Sequence, residues 1–150
     1  MPDAVQSMRT DPAGNIVLAG SSEPGTTGDT HTYVVALTAD GAAHWSATFG
    51  GSDFVANPRI AVDAAGDVVI GAECDGGASV GGPSVKTKGG QDICLARFDP
   101  NGSPVDVASV GTPDQDELGD TAITLDGRTF VVGNSVGDTE NGPFQVFVSL

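Results

Sequence analysis

The chain has 150 residues, with six Lys and Arg against twenty Asp and Glu and a formal net charge of −14. A field of that sign repels phosphate backbones and anionic lipid, so nucleic acid and membrane surfaces are excluded as expected partners, and no run approaches the length of a membrane span. Hydrophobic residues make up 39% of the chain, enough for a folded core, and 22 Gly and 9 Pro without sustained helical spacing point to an all-β fold.

The opening residues Met1-Pro2-Asp3-Ala4-Val5 have no basic start and no apolar core, so no signal peptide is read there. Beyond them the chain repeats itself. Thr10-Asp11-Pro12-Ala13-Gly14-Asn15-Ile16-Val17-Leu18-Ala19-Gly20 returns as Val62 to Ala72 and again as Thr124 to Asn134. Tyr33 to Gly41 matches Cys94 to Gly102, and the chain ends in Val146-Phe147-Val148-Ser149-Leu150. Several short strands per unit, recurring at roughly 50–60 residues, are the signature of propeller blades.

Each unit reads as four strands, A to D. Unit one has loop Ser21–Thr30, strand C from Thr32 to Leu37, turn Thr38–Gly41 and strand D from His44 to Phe49. In unit two, strand A is Arg59–Val62, the turn is Asp63–Asp67 and strand B is the apolar run Val68–Glu73. Such a run suits a strand sandwiched between neighbouring sheets. A Gly-rich loop, Asp75–Gln91, precedes strand C (Ile93–Phe98), turn Asp99–Gly102 and strand D (Val105–Val110). A polar connector carrying Asp114, Asp116, Glu117 and Asp120 leads to unit three, whose first turn reads as shortened to Leu125-Asp126-Gly127-Arg128. The expected fold is an all-β partial β-propeller of about three four-stranded blades spanning 1–150, the last lacking its final strand. Blade 1 covers about 4–51, blade 2 about 57–112 and partial blade 3 about 119–150. Unpaired terminal strands are a pairing liability. The expectation is therefore that further blades of a longer chain, or copies in a homo-oligomer, complete the array.

The Asp-x-x-Gly-Asn/Asp turn with its apolar strand, the strand C ending in Asp99-Pro100-Asn101-Gly102, and Trp45-Ser46-Ala47-Thr48-Phe49-Gly50-Gly51-Ser52 resemble the SBBP-type bacterial β-propeller repeats. Unit two departs from that pattern by carrying Asp106 in place of the tryptophan. The resemblance implies an extracytoplasmic, secreted or cell-surface location and a scaffold-like or binding role, with no catalytic residues to carry over.

Cys74 and Cys94 fall at the end of strand B and near the start of strand C, neighbours in one hairpin. Strand spacing is compatible with a disulfide, and an even count in an exported chain supports one. Two buried free thiols are the alternative, since Tyr33 and Val146 take the position of Cys94 in the other units. No Cys-x-x-Cys or nearby His completes a zinc tetrahedron, so no metal site is assigned to the pair.

The carboxylates Asp114, Asp116, Glu117 and Asp120 make an oxygen-rich stretch of the kind calcium favours, but their spacing fits no EF-hand loop. A solvated connector is the expectation, with Asp53 the sole counterpart in unit one. Asp99–Ser103 and Asp138-Thr139-Glu140-Asn141-Gly142 are explained by turn and loop chemistry. No phosphate-loop sequence occurs. His31 and His44 lie outside any nucleophile context and read as exposed strand residues, so no catalytic residue is assigned and no cofactor is expected. Trp45 reads as packing between blades rather than as a sugar platform.

These readings point to a non-enzymatic repeat module for binding or scaffolding, with a protein or glycan ligand and the loop Asp75–Gln91, bearing Lys86 and Lys88, on the ligand-facing rim. The alternatives are part of a propeller hydrolase or lyase with its active site elsewhere, or a lectin-like propeller.

Overall fold

The computed structural model describes residues 4–22, 30–50, 55–136 and 145–149. Four strands, β1 (Ala4–Thr10), β2 (Ile16–Ser22), β3 (His31–Leu37) and β4 (Ala43–Phe49), form a first sheet in chain order. The second sheet contains β5 (Val55–Val62) and β6 (Val68–Cys74). A small ribbon of β7 (Ala78–Ser79) and β8 (Ser84–Val85) comes before its other strands, β9 (Asp92–Phe98) and β10 (Pro104–Val110). Its order is β10-β9-β6-β5. The third sheet holds β11 (Gln115–Ile123), β12 (Thr129–Val136) and β13 (Gln145–Ser149). Every pairing is antiparallel.

The sheets pack face to face: β5 touches β1, β2 and β3, while β11 touches β5, β6 and β9. The second sheet is thus covered on both sides, which is why all seven residues of β6 are buried and why its sequence runs apolar without alternation. Between the first and second sheets lie Val17, Val34, Phe49, Val55, Ile60, Ile70 and Phe98. Between the second and third lie Ile93, Leu95, Leu118 and Val131.

One turn is used five times. In Asp11–Asn15, Thr38–Ala42, Asp63–Asp67, Asp99–Ser103 and Thr124–Arg128, the fourth residue's N–H donates to the first residue's carbonyl. The first side chain's oxygen accepts from the fifth residue's N–H. The fourth residue is always a glycine with φ between 82° and 89°, a region costly for residues with a Cβ. The unit-three turn is therefore full length, not shortened: Thr124 does there what Asp63 does in unit two, as Thr38 also shows. In the two Thr-initiated turns the hydroxyl also donates to Asp40 or Asp126, which holds those carboxyls below the usual carboxylate range. That contribution is present above the usual range and is lost as pH falls through the lowered value. Asp99→Ala leaves the Asn101 and Ser103 N–H groups without their acceptor and is expected to cost about 1 kcal/mol in denaturant unfolding. Asp99→Thr is expected to recover most of it.

Two further differences from the sequence reading arise at bulges. Strand A of each unit carries a bulge, at Val5/Ser7, Ala56/Arg59 and Leu118/Asp120. The bulge at Asn57-Pro58 lets β5 begin at Val55, earlier than Arg59, because the extra residue absorbs the proline. Asn57 takes φ 54° there, a conformation Asn tolerates better than most. Likewise β11 starts at Gln115, so the acidic stretch is mostly strand rather than connector, with Asp116 and Leu118 turned inward and Gln115 and Glu117 outward. The register also puts Gln145, not Val146, at the position of Cys94, since Gln145 pairs Gly133 as Cys94 pairs Ala72.

Candidate functional site

A groove of about 400 Å³ runs along the face of β9 and β10 that looks toward the third sheet. Val69, Leu95, Val105, Val107 and Ala108 supply apolar lining, and Asp67, Arg97, Asp106 and Thr129 the polar groups. Its origin is one substitution between repeats. Trp45 pairs Ala36 on β4, and Asp106 pairs Arg97 at the same level of β10. In the first sheet the indole reaches across to the second, stacking on Phe98 with centroids 5.6 Å apart. Its Nε1–H donates to the Pro100 carbonyl at 3.1 Å. Gly102 makes room, for a Cβ there would stand 2.5 Å from the ring. At the second junction the short Asp106 leaves that volume open.

Arg97 closes one end of the groove and is fully engaged. Its Nη2 lies 2.8 Å from Asp67 and 3.2 Å from Asp63. Nε donates to Asp67 at 3.1 Å, and Nη1 donates to the Gly127 carbonyl at 2.9 Å. The guanidinium thus ties the first turn of the second sheet to the first turn of the third, a use that suits Arg's rigid fork better than Lys. Asp106 makes no ion pair among the described residues and accepts only from the Val107 N–H, at 2.8 Å. An apolar floor beside an unpaired carboxylate can hold an aliphatic or aromatic group that carries a donor or positive charge. Among the described residues that line the groove, Thr129 supplies the one hydroxyl, and no Ser, Cys or His is present.

At the opposite end of the sheets a polar row centred on buried Glu73 and running out to exposed Gln6 and Gln115 links all three. Glu73, 7% exposed, accepts from Asn57 Nδ2 (2.6 Å), Gln91 Nε2 (2.9 Å) and the Leu118 N–H (3.1 Å). Gln6 donates to Asn57, Ser21 donates to Gln6, and Gln115 donates to Gln91. The carboxylate is buried because its hydrogen bonds are made, as burial of an ion requires. Nearby, Asp92 has its carboxyl pushed up, first by burial and then by the charge of Asp116, against the Lys88 N–H that favours the anion.

The structure joins Cys74 to Cys94, with Cα atoms 5.9 Å apart and both side chains fully buried. It does not bring the acidic stretch together: Asp116 is buried, whereas Asp114, Glu117 and Asp120 are exposed. Among the described residues no three His, Cys, Asp or Glu could hold a metal between them. His44 is exposed, but His31 is half-buried, its Nδ1 packed against Gly50. The loop Asp75–Gln91 is packed at its middle and exposed over much of the rest. Ser79 exchanges two backbone hydrogen bonds with Gly50, at 2.7 and 3.1 Å, and Ala78 and Val80 are buried beneath it. Lys86 and Lys88 are exposed. Asp53 and the stretch Asp138–Gly142 lie outside the described residues.

Sequence reasoning passed over Arg97, Glu73, Asp92 and Asn57. A charge inside an apolar strand was the available signal for the first two, and Asn-Pro ahead of strand A for the last.

Residues 80–104, which span β8, β9 and the start of β10, match a family model described as "Domain of unknown function (DUF5122) beta-propeller". No curated protein matches the chain. The match and the stacked antiparallel sheets together identify a propeller-like, all-β repeat.

Proposed function

We propose that the chain is a non-enzymatic propeller module for binding or scaffolding, supplying two four-stranded blades and three strands of another. The groove beside Asp106 carries this reading, because it opens where the first junction is plugged by Trp45. Its chemistry favours a protein ligand presenting an apolar side chain with a basic or donor end. The buried Cys74–Cys94 bond supports an exported or cell-surface location, since disulfides persist in oxidising compartments, and the resemblance to SBBP-type repeats agrees. Val5 and Met8 on β1 are 59% and 60% exposed. Such apolar surface supports completion by further blades or by a second copy.

The test is binding by the intact protein on peptide and glycan arrays, run beside hydrolase and lyase substrates. Peptide binding that Asp106→Trp abolishes, without turnover, is expected. Glycan binding alone, turnover, or binding that Asp106→Trp leaves intact would overturn the reading.

A further inference from the structure

We propose that Asp92 and Asp116 hold a calcium-class divalent cation at the junction of the second and third sheets. Both side chains are 0% exposed, and neither pairs with a Lys, Arg or His among the described residues. Each uses its Oδ2 to accept from a backbone N–H four residues back, Lys88 at 2.5 Å and Thr112 at 2.6 Å. Oδ1 of Asp92 has no hydrogen-bond partner among the described residues. It points to the same spot as Asp116: a Cβ on Gly111 would stand 2.5 Å from Asp92 Oδ1 and 2.8 Å from Asp116 Oδ2. Only a residue without a side chain lets the two carboxylates approach the backbone there.

The neighbouring groups are oxygens as well. Thr112 Oγ1 lies 3.4 and 3.2 Å from the two Asp116 oxygens and 3.0 Å from Ser135 Oγ. Two carboxylates and two hydroxyls make a hard, all-oxygen donor set whose formal charge of two matches a divalent ion, with backbone carbonyls or water able to complete it. Buried anions need such a counter-charge.

The first junction supplies the comparison. There His31 stands opposite Ser22 as Asp92 stands opposite Cys74. Gly50 follows β4 as Gly111 follows β10. The Val55 N–H donates to Thr30 as the Asp116 N–H donates to Gln91, at 2.8 and 2.7 Å. The same backbone is therefore built with His31 and Val55 in these places, so a carboxylate pair is not what the junction needs in order to fold.

Calorimetric titration with CaCl2 and thermal unfolding, both on EDTA-treated intact protein at neutral pH, test the site. Saturating calcium at about 100 times its dissociation constant is expected to raise Tm by about 5–10 °C. Asp116→Val, which installs the residue of the first junction, is expected to unfold cooperatively without a calcium shift. Should it not fold, the near-isosteric Asp92→Asn is expected to show the same loss. Absence of heat and of a Tm shift in the wild type would overturn the proposal. So would a shift that survives both substitutions. A Tm insensitive to calcium but falling as pH rises through and above the usual carboxylate range would overturn it too, because the pair then shares a proton in the company of Lys88.

Discussion

Phe98→Ala is expected to lower the free energy of unfolding by about 3–5 kcal/mol, the cost of emptying a large aromatic site that cannot collapse. Phe98 ends β9, is fully buried and belongs to the core shared by the first and second sheets. It pairs Val68 and Pro104 across its own sheet and stacks on Trp45 from the neighbouring one. Both sheets hold it rigidly, so little relaxation is available. Trp45 is the sole tryptophan, so its fluorescence reports on this contact: the native emission is expected to shift as the denaturation midpoint falls. A loss below about 1 kcal/mol with unchanged emission would mean that the two sheets do not meet at this ring.

Removing the disulfide is expected to cost about 3 kcal/mol in the loop-entropy account. Cys74 and Cys94 are 20 residues apart in sequence and enclose the β7–β8 ribbon. They sit diagonally across the β6–β9 ladder, Cys74 opposite Asp92 and Cys94 opposite Ala72. Cys74→Ala with Cys94→Ala should lower the denaturation midpoint correspondingly, and reduction should lower it similarly. A free-thiol count under denaturing, non-reducing conditions should find none in protein made in an oxidising compartment. Two titratable thiols in such material would contradict the bond.

The repeat made the strands and turns legible because both rest on local rules. Asp or Thr followed three residues later by Gly marks each turn, although Thr124 hides this in unit three, where the turn reads as shortened, and the apolar runs mark the strands they separate. The bulges were not legible, since a bulge moves residues between faces and breaks the alternation on which strand reading relies. For that reason Asn57-Pro58 looked like a strand boundary, and Asp116, flanked by solvent-facing polar residues, looked like part of a loop. Asp106 was visible as a departure from the tryptophan of the first unit. That the departure opens a groove becomes evident only once the register sets Asp106 beside Arg97 and the stacked sheets set both across from Thr129. Asp92 gave no local signal at all, because its neighbour Asp116 is far along the chain and meets it through the packing of two sheets.

The second sheet is the doubly covered middle of a face-to-face stack. Residue-resolved amide hydrogen exchange tests it most directly, since protection follows buried, cooperatively opened hydrogen bonds. The slowest exchange is predicted in β6 and β9, every residue of which is buried except half-buried Arg97. Much faster exchange is predicted in β1, where only Ser7 is buried. Protection in β6 and β9 no greater than in β1 would contradict the stack.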